Sequence, residues 1–230
     1  FMVGAFKGSN SYGVNDMPNI DVLIITHDHY DHLDYKTVSA LNNKVQSVVC
    51  SIGVAAHLEY WGYASEKINE LYWGESATVA GLLFTAAEAR HFSGRSLNRN
   101  QSLWSSFIVK SPTHQIYIGG DSGFDTHFEK IGNQFGGFDL AILECGQYNH
   151  AWRYIHMMPE ETVKAAKALN TKVLLPVHWG KFSLALHPWH EPIERVHAAA
   201  VTAGIPITSP KIGETIQLDT TLPTSSWWRS

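Results

Sequence analysis

Short apolar runs alternate with segments of helical periodicity along the whole chain. The apolar runs predict strands at residues 21–26, 46–50, 82–87, 103–110, 115–118, 139–143, 172–177 and 215–218. Amphipathic segments predict helices at residues 35–42, 53–61, 159–169 and 192–203. Strands that are apolar throughout are usually covered on both faces, so the alternation predicts an α/β fold.

The boundaries of the domain are read from the segments between these elements. No internal repeat or linker divides the chain, so residues 1–230 are expected to form a single domain. Residues 93–102 are rich in Asn, Ser and Arg and are expected to form a loop. Residues 222–230 are expected to be frayed.

Composition excludes some classes of protein. A hydrophobic fraction of 44% with 17% charged residues is typical of a globular domain, and no apolar run is long enough to cross a bilayer. The net charge of −4 argues against a nucleic-acid partner, which usually needs a basic face. Cys50 and Cys145 lie within apolar runs and are expected to be buried thiols.

The chain has 13 histidines, and three of them cluster in the segment His-Asp-His-Tyr-Asp-His at residues 27–32, directly after a predicted strand. His27 and His29 are two residues apart in an extended chain, so they point to the same side and can share one ion. Asp31 and His32 follow once the chain turns and can address a second ion. Imidazole and carboxylate together suit zinc, with manganese and iron as competitors. Helix capping would explain one Asp and one His, but not three histidines.

Three later residues each come just after a predicted strand: His91, Asp121 and His178. A lone histidine after a strand is more often an ordinary loop residue. Sites in layered α/β folds are nevertheless assembled at strand ends along one edge, where these three residues are expected.

These motifs resemble the metallo-β-lactamase superfamily, and within it the branch of N-acyl-phosphatidylethanolamine-hydrolysing phospholipase D and its bacterial relatives. The resemblance covers residues 18–213, and its motifs lie at 21–34, 89–96, 119–123, 156–161 and 177–180. The motif at 27–32 marks the superfamily. Arg-His-Phe-Ser-Gly-Arg at 90–95 and His-Trp-Gly at 178–180 are more specific to the branch.

The resemblance implies an αβ/βα four-layer sandwich with two divalent metal ions, Zn²⁺ first, with Mn²⁺ or Fe²⁺ as alternatives. It implies one ion on His27, His29 and His91, and a second ion on Asp31, His32 and His178. Asp121 would bridge the two ions.

The N-terminus departs from the family pattern. Family members have several strands before the first motif, whereas about twenty residues precede it here, and the chain opens at Phe1 without an initiator methionine. Either further strands lie upstream of an N-terminally truncated fragment, which is the expectation, or the first sheet is incomplete. The segment that would decide localisation is expected upstream too, and the cytoplasm is only slightly favoured.

The expected chemistry is hydrolysis by a hydroxide activated between two metal ions. The positive charge of two divalent ions is partly cancelled by Asp31, Asp121 and the hydroxide. Roughly one net positive charge remains in the pocket, which suits an anionic substrate such as a phosphodiester. The leading hypothesis is a phosphodiesterase of phospholipase D type. A lactonase that opens an anionic lactone is the alternative. Hydrolysis of a β-lactam comes third, because the motifs specific to the branch point elsewhere. From a different class, a metal-binding protein without turnover is disfavoured because every expected ligand is present.

The catalytic candidates are Asp31, Asp121 and His156. Asp31 and Asp121 are also expected metal ligands, whereas His156 is not. The resemblance implies that it lies near the metals, where it could hydrogen-bond the substrate or protonate the leaving group; the alternative is that it orients the helix at 159–169. Asp28 is expected to give local support. Arg90 and Arg95 could steer an anionic substrate, but loop arginines are more often solvated. His187 and His190 could line the pocket, or they could be ordinary surface residues.

Seven large apolar residues surround His156 and His178 in sequence: Trp152, Tyr154, Met157, Met158, Trp179, Phe182 and Trp189. They could line a groove for an acyl chain or pack in the core, and both interpretations stay open. The expected partner is a small-molecule or lipid ester substrate. Peripheral membrane contact stays open, and a homo-oligomer is expected.

Overall fold

The computed structural model describes residues 5–95, 99–182 and 184–229, and its strands form two sheets. The smaller sheet has three parallel strands: β1 (Ile20–Ile25), β2 (Val45–Ser51) and β3 (Ile68–Leu71). The larger sheet has six strands in chain order: β4 (Ser76–Val79), β5 (Leu82–Ala87), β6 (Ser106–Lys110), β7 (Gln115–Ile118), β8 (Leu140–Glu144) and β9 (Leu174–Val177). The pairs from β4 to β7 are antiparallel, and those from β7 to β9 are parallel.

Five α-helices cover the sheets within the described chain: α1 (Tyr35–Leu41), α2 (Ala55–Tyr60), α3 (His127–Phe135), α4 (Pro159–Ala168) and α5 (Glu191–Ala203). The Asp34 side chain accepts a hydrogen bond from the Thr37 amide, so it caps α1. None of the described helices has the length and apolarity needed to span a bilayer.

Three apolar clusters separate four layers. Val48 of β2 packs between the small sheet and helices α1 and α2, whereas the next residue, Val49, faces the large sheet beside Phe84 and Phe107. A third cluster, which contains Tyr117, fills the space between the large sheet and helices α3 to α5. Consecutive residues of a strand point to opposite faces, so β2 serves two clusters at once. The predicted αβ/βα four-layer sandwich is confirmed.

The C-terminal ends of β1, β5, β7, β8 and β9 lie at one edge of the sandwich. Strands β5, β7, β8 and β9 run in the same direction, because two antiparallel steps separate β5 from β7. The end of β1 meets this edge, where the Thr26 carbonyl accepts a hydrogen bond from the Ser105 amide. Gly120 approaches the same residue so closely that an added Cβ would lie 3.0 Å from Thr26 Cβ.

Two predictions near the C-terminus are wrong. Residues 215–218 form no strand, because the free side of β9 is occupied by the preceding segment: the Thr208 amide donates to Leu174 and the Leu174 amide donates to Pro206. The tail is ordered rather than frayed as far as residue 229. Trp227–Arg229 forms a 3₁₀ turn whose Trp228 side chain is buried and donates to Glu194.

Helix α3 was not predicted from the sequence, and its glycine explains why. Gly132 is unfavourable inside a helix, yet a Cβ there would lie 2.3 Å from the Ala168 carbonyl oxygen. Close packing of α3 on α4 therefore requires the residue that weakens the helical signal. Strands β3 and β4 were also not predicted. Both cysteines are free and buried, as expected.

Some expectations concern residues outside the described ranges, among them Ser96 at the end of the 89–96 motif and the first and last residues of the predicted 1–230 domain. β1 forms one edge of the small sheet in the described chain. The expectation of further strands upstream stays a prediction.

Candidate metal centre

The first group of side chains is His27, His29, His91 and Asp121. The Nδ1 atom of His29 lies 3.1 Å from His27 Nε2 and 3.1 Å from His91 Nε2. His91 Nδ1 is held by the Ile155 carbonyl oxygen at 2.9 Å, which leaves Nε2 for the centre. Asp121 Oδ2 closes the group at 3.8 Å from His27 Nε2 and 3.7 Å from His91 Nε2.

The second group is Asp31, His32 and His178. The Asp31 Oδ2 atom lies 3.3 Å from His178 Nε2 and 3.6 Å from His32 Nε2. Asp121 also contacts both imidazoles, with Oδ2 at 3.2 Å from His32 Nε2 and Oδ1 at 3.6 Å from His178 Nε2. Asp121 therefore lies between the two groups, in the bridging place that the resemblance implies.

The protonation of the first group suits cation binding; in the second group, burial lowers the pKa of His178, but the nearby carboxylates, Asp121 first, outweigh burial and raise that pKa well above its usual value. Burial is the main cause that lowers the pKa of His27, His29 and His91, to about 4 for His91, so these imidazoles are unprotonated near neutral pH. Burial alone would raise the pKa of Asp121, but the surrounding imidazoles, His178 first, outweigh burial and hold that pKa well below its usual range. Neutral imidazole and ionised carboxylate are the forms that bind metals.

The donor set fits divalent metal ions. Nitrogen ligands at about 2.0–2.1 Å from a tetrahedral zinc ion are separated from each other by about 3.3 Å, close to the 3.1 Å spacings around His29 Nδ1. Asp121 Oδ1 is buried without a hydrogen-bond partner among the described residues. An orphaned carboxylate oxygen is costly unless a cation or water occupies the space beside it. The assignment of individual ligands stays a prediction, and so does the number of ions.

His178 carries backbone strain. Its φ of +69° lies in the left-handed region, which only a few per cent of residues other than Gly adopt, with Asn, Asp and His the most frequent among them. Such strain of about 1–3 kcal/mol persists at sites that the surrounding structure fixes. Directly after β9, this turn directs the imidazole toward Asp31 and Asp121.

A third group consists of Asp121, Glu144, His156 and His178. Sequence reasoning missed Glu144, although it follows the apolar run 139–143 at the same edge, the signal that identified His91, Asp121 and His178. Its buried carboxylate accepts from His156 Nδ1 at 2.9 Å. Burial lowers the pKa of His156, but Glu144 outweighs it and leaves that pKa raised. His156 thus lies beside the centre, where the resemblance implies it.

Asp28 and the two arginines have structural partners. Asp28 is buried, and its Oδ1 accepts from the Gly94 amide at 2.7 Å, which holds the loop that carries His91. Arg95 Nη1 donates to the Asp28 and Leu33 carbonyl oxygens, and its guanidinium stacks over Tyr30. Arg90 pairs with Asp125 at 2.9 Å. These contacts favour a structural role over anion steering for both arginines.

The apolar residues around His156 and His178 divide between core and pocket. Met157 is buried in the core, whereas Trp152 and Tyr154 are exposed. Trp179 and Phe182 line a cavity of about 370 Å³ that also reaches Asp31 and His178. Trp189 stacks on Trp179, whose other neighbours are the rings of Trp227 and Trp228. Met158 precedes α4 as its N-cap.

The loop after β9 lines one side of this cavity with Lys181, Phe182 and Leu184, and Gln147 holds this loop. The Gln147 Oε1 atom accepts from the Leu184 amide at 2.6 Å and from the Ala185 amide at 2.7 Å, and Nε2 donates to the Phe182 carbonyl oxygen. His187 Nε2 accepts a hydrogen bond from the backbone N–H of Gln147. This histidine therefore holds the loop instead of lining the cavity. His190 is exposed at the start of α5.

Comparison with known families agrees with the site. The family described as the Beta-lactamase superfamily domain matches residues 7–179. Over 217 residues the chain is 44% identical to an uncharacterized protein of Mycobacterium tuberculosis, covering 93% of this chain and 58% of that protein. Over 198 residues it is 32% identical to N-acyl-phosphatidylethanolamine-hydrolyzing phospholipase D 1 of Caenorhabditis elegans, covering 80% of this chain and 55% of that protein. The chain thus spans less than two thirds of the length of these relatives.

Solved structures share the fold. The isothiocyanate hydrolase from Delia radicum gut bacteria superposes with a TM-score of 0.70 at 21% identity, covering 90% of this chain and 79% of that one. At this level of identity the likeness concerns the fold alone.

Proposed function

The chain belongs to the metallo-β-lactamase superfamily, and we propose that it is a metal-dependent hydrolase that acts on a phosphodiester, in the manner of a phospholipase D. The observation that carries the proposal is the position of Asp121, a buried carboxylate in contact with four imidazoles from three different loops. Similarity to the nematode phospholipase D supports phosphodiester chemistry.

The cations would be held by the two groups that share Asp121: His27, His29 and His91 on one side, and Asp31, His32 and His178 on the other. Zinc suits this set of imidazoles and carboxylates, and Mn²⁺ or Fe²⁺ are alternatives. Bound divalent cations would supply Lewis acidity and a nucleophile available at neutral pH.

His156 is the side chain that would protonate the leaving group. His156 Nδ1 faces Glu144, so its second ring nitrogen is available to donate a proton to the departing oxygen. The cavity beside Asp31 and His178 would take an apolar part of the substrate, because Trp179 and Phe182 line it. Glu144 adds a negative charge that the charge estimate from sequence did not include. A cationic His156 would offset that charge and keep the pocket suited to an anion.

The experiment compares two substrates, bis-p-nitrophenyl phosphate and a simple lactone, with zinc- or manganese-loaded protein and Asp121→Asn as the blank. We expect phosphodiester turnover that disappears in Asp121→Asn. Hydrolysis of the lactone alone would indicate a lactonase and contradict the proposal. Hydrolysis of neither substrate by protein that retains its metal would favour a metal-binding protein without turnover.

His156→Ala separates the leaving-group role from the metal site. We expect kcat to fall about 10²- to 10⁴-fold, the usual contribution of a general acid, while zinc content is unchanged. A variant that keeps full turnover with its metals retained would remove His156 from the mechanism.

A further inference from the structure

Glu144 has an unusual set of partners for a fully buried carboxylate. Oε1 accepts from the backbone amides of Ser122, at 3.1 Å, and Met157, at 3.2 Å. Oε2 accepts from His156 Nδ1 at 2.9 Å and lies 3.6 Å from His178 Nδ1. The carboxylate therefore ties together the loops that carry Asp121, His156 and His178.

The two imidazoles beside Glu144 share an orientation. The His156 and His178 rings are stacked with an interplanar angle of 12° and centroids 5.8 Å apart. Both present Nδ1 to the same carboxylate oxygen, which leaves Nε2 of each ring on the other side. For His178 that side is the metal centre, where Nε2 lies 3.3 Å from Asp31 and 3.6 Å from Asp121.

We propose that Glu144 is a positioning residue that fixes His156 and His178 together, with Nδ1 protonated and Nε2 directed to the centre. His178 then offers Nε2 to a cation, and His156 offers Nε2 to the substrate. The role of His156 toward substrate rests on the proposed function, whereas the orientation of both rings does not.

The chemistry of the four contacts requires a carboxylate. Two backbone N–H groups point to one oxygen, and two imidazole nitrogens face the other. An ionised carboxylate only accepts, so it can take the three hydrogen bonds from the Ser122 amide, the Met157 amide and His156 Nδ1 while it faces His178 Nδ1 at 3.6 Å. A glutamine at this position would turn its NH₂ group toward one of the two pairs and leave that pair without an acceptor.

The first measurement uses the unaltered protein. Nitrogen-15 NMR of the histidine side chains, at mildly alkaline pH, reports which ring nitrogen carries the proton. We expect Nδ1–H for His156 and His178, both with and without zinc. The Nε2–H tautomer of His156 would overturn the proposal, whether or not any substrate is turned over.

The second measurement uses Glu144→Gln, with Glu70→Gln as the matched control. Glu70 accepts hydrogen bonds from the backbone amides of Gly53 and Ala55 and pairs with no histidine in the described part of the chain, so an amide oxygen can replace it. We expect Glu144→Gln to weaken binding of the cation held by His178 about 10- to 100-fold in a zinc titration, as loss of an outer partner of a ligand usually does. Equal zinc affinity in both variants would count against the proposal.

A double-mutant cycle then connects Glu144 to catalysis. At saturating zinc we expect Glu144→Gln to lower kcat for bis-p-nitrophenyl phosphate with little change in KM, and to lower it no further in the His156→Ala background. Fully additive losses would mean that Glu144 acts only by stabilising the fold. Should the phosphodiester not be turned over, the proposed function fails, and the NMR and zinc measurements still decide the orientation of the rings. The NMR result on the unaltered protein also decides it if Glu144→Gln does not fold.

Discussion

Gly146 packs against the backbone of His178 so closely that a Cβ on Gly146 would lie 2.3 Å from the His178 carbonyl oxygen. The same atom would lie 2.7 Å from Trp179 Cα. No side chain fits here without moving the turn after β9. This turn holds His178 at a φ of +69°, so a side chain at position 146 would push on the backbone that carries the imidazole.

We therefore expect Gly146→Ala to displace His178 and weaken the second cation site. Overpacking of this kind should cost about 1–3 kcal/mol of unfolding free energy. Zinc titration and urea unfolding measure the two effects. Gly13→Ala is the control, because Gly13 has a φ of −128° and an added Cβ would meet no atom of the described residues within 4 Å. Normal zinc binding in Gly146→Ala would show that His178 does not depend on this packing.

Metal removal should destabilise the fold. A ligand that binds only the native state adds RT ln(1 + [L]/Kd), about 2.7 kcal/mol at a hundredfold excess over Kd. We expect a chelator to lower the melting temperature of the protein by several degrees and re-added zinc to restore it. Asp121→Asn should respond much less, because Asp121 contacts both ligand groups. An unchanged melting temperature in the unaltered protein would speak against a resident metal.

Gln147 should control the wall of the cavity beside the metal centre. Gln147→Ala removes the acceptor of the Leu184 and Ala185 backbone amides in the loop after β9, and each unsatisfied buried donor costs about 1–3 kcal/mol. We expect lower stability in urea and faster amide hydrogen exchange at residues 184 and 185. Gln134→Ala, on the exposed face of α3, is the control and should change stability by less than about 0.5 kcal/mol. Unchanged exchange in Gln147→Ala would show that the loop is held by other contacts.

The layered fold and the edge that carries the site could be predicted because they depend on local patterns. The apolar runs before His27, Asp121 and His178 fixed both the strands and the position of the residues that follow them. Glu144 also follows an apolar run at this edge, but it belongs to no short motif, and its contacts with Ser122, His156 and Met157 join segments far apart in sequence. Sequence distance thus separates what was predictable at the site from what was not.

Outside the site, the errors have physical causes of the same kind. Gly132 weakens the helical signal of α3 because tertiary packing on α4 requires it. The tail was expected to be frayed because its composition contains no periodic pattern. Its order comes from single long-range contacts, such as that of Trp228 with Glu194, which periodicity does not report.

The contacts of Glu194 give a prediction about pH. The Arg229 guanidinium is the main cause that lowers the pKa of Glu194 to about 2, with a further hydrogen bond from Trp228. A carboxyl whose pKa is depressed in the folded state stabilises the fold above its unfolded pKa of about 4.5, and this stabilisation is lost as the pH falls from there toward about 2.

We expect the unaltered protein to melt at a higher temperature than Glu194→Gln near neutral pH, and the difference to shrink between pH of about 4.5 and about 2. Arg229→Gln should lower the melting temperature with the same dependence on pH. The double variant should melt little lower than either single variant, because both changes break the same ion pair. Thermal melts of the four proteins across this pH range make the comparison. A difference that stays constant down to the lowest pH would mean that Glu194 holds the C-terminal turn by packing rather than by charge.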